Sequence, residues 1–219
     1  MWHSGVNNLA VRVGAAVLAL SVLATPAAQA FLYPLTTMQV RDAYFLGRTT
    51  DNSKLIKFFD RYIHHFPYPP AGPYVESVEF RTPYEQVVLQ SQTHSIGFNS
   101  QDAQEDYTAN SQRVIVRIII FKTLTFSGPL TSDTPKGIKI WTYDDFLRGF
   151  QFRVSQTHSI EPKKVVPGSA CLGDCEPYSG VEVQLEFEPS QFAPGSAKIE
   201  ITTPDGRTLE TEFDLDALQ

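Results

Sequence analysis

The run GVEVQLEFEP at residues 180–189 restricts the fold more than any other feature of the chain. Val181, Val183, Leu185 and Phe187 alternate with Glu182, Gln184, Glu186 and Glu188. Successive side chains on a strand point to opposite faces, so this segment needs a sheet with one dry face and one wet face. Its partners are readable elsewhere in the sequence. AKIEITTPDGRTLETEFDL, residues 197–215, gives two alternating runs around Pro204-Asp205-Gly206, which is hairpin chemistry. RVIVRIIIFKTLTF, residues 113–126, is a long β-branched run that reads as a central strand buried on both faces. VESVEFRTPYEQVVLQ, residues 75–90, reads as strand, Thr82-Pro83 turn and strand. GIKIWTY and FQFRVSQ add shorter strands, with a capped turn from Thr142 through Asp144 and Phe146 to Gly149 between them. The expected fold is mainly β: an antiparallel β-sandwich of about eight strands over residues 75–219.

The period changes before residue 75. TTMQVRDAYFLG begins with Thr36 or Thr37 as a cap and stops at Gly47, a good left-handed terminator. In the next segment Leu55, Phe58, Phe59, Tyr62, Ile63 and Phe66 recur at helical spacing behind Asp51 or Asn52. His64 and His65 then fall in a last helical turn, where the helix dipole favours positive charge. These two pieces predict an N-terminal helical hairpin, residues 31–66, packed on the sandwich. FPYPPAGPY follows, and residues 67–74 read as a stiff proline-rich connector.

The first thirty residues have the layout of a signal peptide. Arg12 is the one charged side chain, an apolar run covers residues 13–24, and Ala28-Gln29-Ala30 supplies the small residues that signal peptidase accepts. Cleavage is expected before Phe31, and no later run is long and apolar enough to cross a membrane as a helix. The predicted location is the periplasm or the outside of the cell. In such a compartment Cys171 and Cys175 pair as a disulfide that pins a short loop. The formal net charge is −6, and loss of Arg12 makes the exported chain more negative still. That balance excludes nucleic acid as a main partner, because phosphate repels it.

The hexapeptide SQTHSI occurs at residues 91–96 and again at 155–160. In strands, Gln92, His94 and Ile96 would share a face, and so would Gln156, His158 and Ile160. Two imidazoles on adjacent strands make half of a zinc or copper site, with His64, His65, Asp174 or Glu176 as a further ligand. The flanks of the two copies do not match, as those of a duplicated site would. VEFRTP at 78–83 and IEITTP at 199–204 form a second echo, at a different offset, so no tandem repeat links them. Trp141 and Tyr143 fall on one strand face, the arrangement of a carbohydrate platform.

No catalytic residue or cofactor is expected. The chain has no G-x-S-x-G elbow and no phosphate-cradling loop, and Asp144 and Asp145 suit a helix start better than a glycosidase pair. Long polar connections at residues 97–112, 125–137 and 161–180 are natural places for binding. The expected function is that of an exported non-catalytic binding or scaffold protein of the bacterial-type cell envelope. Its partner would be an envelope protein or an extracellular ligand. The alternatives are a metal-dependent enzyme or metal-binding protein using His94 and His158, and a carbohydrate-binding module using Trp141 and Tyr143.

Overall fold

The computed structural model describes residues 30–70, 73–94, 97–122, 147–170 and 180–219. Residues 1–29 of the stretch read as a signal peptide, the segment with Trp141 and Tyr143, residues 142–146 of the expected capped turn, and the Cys171–Cys175 loop with Glu176 lie outside the described residues. Among the described residues the fold is mixed, with four α-helices and nine strands in two antiparallel sheets.

Helix α1, Thr37–Gly47, starts where its cap predicts. The Gln39 N–H donates to the Thr36 hydroxyl at 3.3 Å, and the Thr36 N–H donates to Gln39 Oε1 at 2.8 Å. Gly47 is its last helical residue and does not take the left-handed conformation expected of it. Glycine is needed there because helix α3, Pro83–Thr93, passes close by. A Cβ on Gly47 would lie 2.3 Å from the Val88 carbonyl oxygen, closer than any side chain tolerates. Helix α2, Asn52–Phe59, is capped by Asp51.

The helical pattern beyond Phe59 does not hold. Residues Ile63–His65 form a short strand, β1, antiparallel to β2, Pro73–Arg81. The backbone there finds partners across the sheet: the Phe80 N–H donates to the Tyr62 carbonyl at 2.8 Å, and the Phe66 N–H donates to the Glu76 carbonyl at 2.9 Å. His64 and His65 are therefore exposed strand residues, not the end of a helix. The β structure begins inside residues 31–66, and α1 packs on α3 and α4 in place of a simple hairpin with α2.

The second strand read into residues 83–90 is also overturned. Pro83–Thr93 is helix α3. Thr82 caps it by accepting the Glu85 N–H at 3.2 Å, and Pro83 supplies the preset φ of a first helical position. The polar stretch at 97–112, expected as a connection, holds helix α4, Ser100–Asn110, capped by Asn99. It is docked through Tyr107, whose hydroxyl accepts the Leu35 N–H at 2.8 Å.

Strand β3, Val114–Lys122, is central to the five-stranded sheet, whose order is β1-β2-β3-β7-β6. β6 is Lys164–Ala170, inside a stretch expected to be a polar connection, and β7 is Gly180–Phe187. Val114, Val116, Ile118 and Ile120 face the main core, and Ile115, Ile119 and Phe121 are buried on the opposite face. The register of β2 shifts between Val75 and Ser77, so Val75, Val78 and Phe80 all face the main core. The four-stranded sheet has the order β5-β4-β8-β9, with β4 at Gln151–Ser155, β5 at Ser159–Ile160, β8 at Ser196–Thr202 and β9 at Thr208–Asp214. Its inward residues Val154, Ile160, Ala197, Ile199, Ile201 and Phe213 belong to the same cluster as the inner face of the first sheet and the helices. The Phe80 and Phe213 rings, one from each sheet, lie 5.7 Å apart.

Candidate functional site

Two constructions stand out from the paired frame. The first is a notch where the chain passes from one sheet to the other. β5 pairs with only the end of β4, Ile160 opposite Val154 and Ser159 opposite Ser155. The turn between them is held by Gln156, whose N–H donates to the His158 carbonyl at 3.0 Å and whose amide exchanges hydrogen bonds with Ala193. After Ile160 the chain leaves. The Glu161 carbonyl accepts Gln191 Nε2 at 3.1 Å, Pro162 has no N–H to give, and the Lys163 N–H donates to the Glu186 carbonyl at 2.8 Å in the other sheet. Among the described residues, residues 151–153 of β4 are thus paired on one side only, with β8. Beside them lies a cleft of about 310 Å³, small but within the range of ligand pockets. Phe152, Val154 and Ile160 line it from the four-stranded sheet, and Leu185 and Phe187 from the five-stranded one. Arg153, Glu161 and Glu200 stand at its polar rim.

The second construction is a charge cluster on the outer face of the five-stranded sheet. Arg117 lies opposite Glu79 on one side and Gln184 on the other. Its guanidinium binds Glu182 through Nε at 2.7 Å and Nη2 at 2.6 Å, and reaches Glu79 through Nη1 at 3.4 Å. Arg81 also binds Glu79, at 2.6 Å through Nη2. Burial pushes the Glu182 carboxyl up, but hydrogen bonds from Arg117 and Gln184 outweigh it and hold the group below its usual range. Burial likewise works against the charge on Arg117, and its two carboxylate partners more than restore it.

Glu85 meets this cluster from helix α3. It is fully buried, and neither carboxylate oxygen has a hydrogen-bond partner. It occupies the third helical position after Thr82, where a capping box would bend it back to the Thr82 N–H. That return bond is missing. Burial, reinforced by the charge of Glu79 and only partly offset by Arg81 and Arg117, pushes its pKa up to about 8. Charge balance agrees with this. Two guanidiniums already face two carboxylates, so an ionised Glu85 would add an uncompensated buried charge.

The two SQTHSI copies do not form matching strands. The first ends helix α3. The His94 N–H donates to the Gln90 carbonyl at 3.0 Å, its Nδ1 lies 2.9 Å from the same oxygen, and its ring stacks on Phe98 at 4.3 Å. The second forms the β4–β5 turn, where His158 Nδ1 lies 3.1 Å from the Thr157 hydroxyl. Among the described residues no group of three or more His, Cys, Asp or Glu is placed to hold a metal ion.

Sequence reading missed both constructions. Arg117, a charge inside an apolar strand, and the T-x-x-E spacing of Thr82 and Glu85 were the signals available for the cluster. The notch depends on strand order, for which there is no local signal. No protein-family model matches the chain, and no curated protein matches it. Among the described residues no helix is long and apolar enough to cross a membrane.

Proposed function

We propose that the chain is an exported, non-catalytic binding or scaffold protein of a bacterial-type envelope, periplasmic or secreted. In this reading the two sheets pack as an antiparallel sandwich, the helices flank it, and the notch beside β4 receives the partner. The observation that carries the reading is the notch itself. It is an opening between the sheets with an apolar floor and a polar rim, beside residues 151–153 of β4, which among the described residues pair only with β8. The charge cluster fits the same reading. Its arginines and two of its carboxylates are committed to one another, which suits a role in holding the sheet together. Export rests on the leader, with Arg12, the apolar residues 13–24 and Ala28-Gln29-Ala30.

Fractionation of cells expressing the full chain, followed by N-terminal sequencing, tests the first half. The expected product begins at Phe31 and leaves the cytoplasm, whereas an intact cytoplasmic product overturns export. A photo-crosslinking residue placed at Gln151 in the notch tests the second half against one placed at Glu212 on the exposed edge. The expected result is a defined adduct from Gln151 alone, and equal labelling from both positions overturns the notch as the binding site.

A further inference from the structure

Resting on the binding reading above, we infer that the partner enters the notch as an extended peptide segment that adds to the open edge of β4. The hydrogen-bond geometry defines the lane. Gln156 turns its N–H toward the β5 side, where it meets the His158 carbonyl. Backbone groups along a strand alternate between its two edges, so Val154 and Phe152 face that same side. β5 takes the place opposite Val154 and stops there. Among the described residues none pairs with the N–H and C=O of Phe152 on this side, so they face a lane open to a chain of complementary β geometry.

The segment that follows β5 is held away from this lane. The Glu161 carbonyl is committed to Gln191, the Lys163 N–H to Glu186, and the Lys163 ammonium to Glu188. Closing the notch from within would break all three contacts and would bring Pro162, which has no N–H, opposite Phe152. The departure of residues 161–163 from β4 is therefore built into the crossing.

The side-chain requirements follow from the same register. Strand neighbours directly opposite each other share a face. A residue opposite Phe152 points with it into the cleft against Leu185 and Phe187, so it is apolar. Residues opposite Gln151 and Arg153 point to water, so they are polar. Arg153 is exposed and, among the described residues, makes no ion pair, which favours an acid beside it. The lane is blocked at one end by Ile160, so the incoming segment must end or turn there. That condition disfavours a second copy of this chain. Pairing two β4 edges about Phe152 would drive residue 150 of one copy into β5 of the other.

A displayed library of short random peptides, panned against the purified protein, tests the inference. Selected peptides are then measured by titration and by amide hydrogen exchange, each beside a version N-methylated at its central apolar residue. Strand addition predicts a polar–apolar–polar consensus, protection of the Phe152 amide on binding, and a loss of about tenfold or more in affinity on N-methylation. Peptides that perturb the notch residues but tolerate N-methylation overturn strand addition and leave the binding notch standing. Failure to select any peptide that perturbs the notch overturns both. Protection of the Phe152 amide by self-association, without peptide, overturns the peptide assignment in favour of a second copy.

Discussion

The five-stranded sheet turns Glu79, Arg81, Arg117 and Glu182 away from the main core yet keeps their side chains largely out of water, with Glu79 at 7% exposure. The four-stranded sheet turns Lys198, Glu200 and Glu210 outward into water, with Lys198 at 44% and Glu210 at 51%. Both faces carry ion pairs drawn from neighbouring strands, at similar distances. The difference lies in solvent. Charges that have lost water depend on one another, because an unpaired one pays the full desolvation penalty. Charges that keep water gain little from a partner. A list of ion pairs would treat the two faces alike, and the energetics do not.

The largest expected effect comes from breaking the buried face. Arg117→Met strands Glu79 and Glu182 and should cost about 3 kcal/mol in urea unfolding. Adding Glu79→Gln and Glu182→Gln should return a large part of that loss. If Arg117→Met alone is neutral, the buried face behaves like the wet one and the comparison fails.

Glu85 sharpens the comparison through pH. Its folded pKa, about 8, lies above the usual glutamate value of 4.5, so the native state holds a proton that the unfolded chain releases. The stability this contributes is fully present below pH 4.5 and is lost as pH rises through 8. Between those limits unfolding free energy should fall with a slope of up to about 1.4 kcal/mol per pH unit from this one site. Glu85→Gln should flatten that slope. An unchanged slope in the variant would assign it to other groups.

The smallest effect belongs to the exposed face. The hydrogen bond to Glu210 raises the Lys198 pKa, but the ammonium is fully solvated. Lys198→Ala should leave Tm unchanged within error at low and at high salt. A clear destabilisation would put this face in the same class as the buried one.

Much of the strand pattern could be read locally. The β8–β9 hairpin follows from Pro204-Asp205-Gly206, where Gly206 takes the φ of +81° that favours glycine. The Thr-Pro dipeptides at 82–83 and 203–204 show where local reading divides. Thr203 closes a turn, with its N–H donating to the Arg207 carbonyl at 2.8 Å, while Thr82 opens a helix. What separates them is the next pair of residues: Asp-Gly permits the tight reversal, and Tyr-Glu continues as a first helical turn. Reading the dipeptide alone turned α3 into a strand.

The SQTHSI copies carry the same lesson in stronger form. Ser91 to His94 end a helix at one place, and the matching residues 155–158 turn between strands at the other, because their partners differ. In one copy the His94 backbone closes on Gln90, and in the other the Gln156 side-chain amide is tied to Ala193, far along the chain. Strand β1 was lost for a similar reason. Its residues fit a helical period, and the free edge of β2 recruited them. The notch was the least readable feature, since it exists only where two distant strand orders meet.

The order in which the sheets take up the chain has a consequence for biosynthesis. β1 to β3 enter one sheet, β4 and β5 the other, β6 and β7 return to the first, and β8 and β9 to the second. Neither sheet can be finished from a contiguous stretch. β3, the most β-branched strand, must wait with one edge open until β7 has been made and pairs Val114 with Phe187. A chain that emerges slowly from a ribosome or an export channel therefore carries its most aggregation-prone edge unprotected from the time Lys122 is made until β7 follows. Late strands such as β7 thus act as the guard of early ones, and a truncation near the end of the chain should be felt first as insolubility.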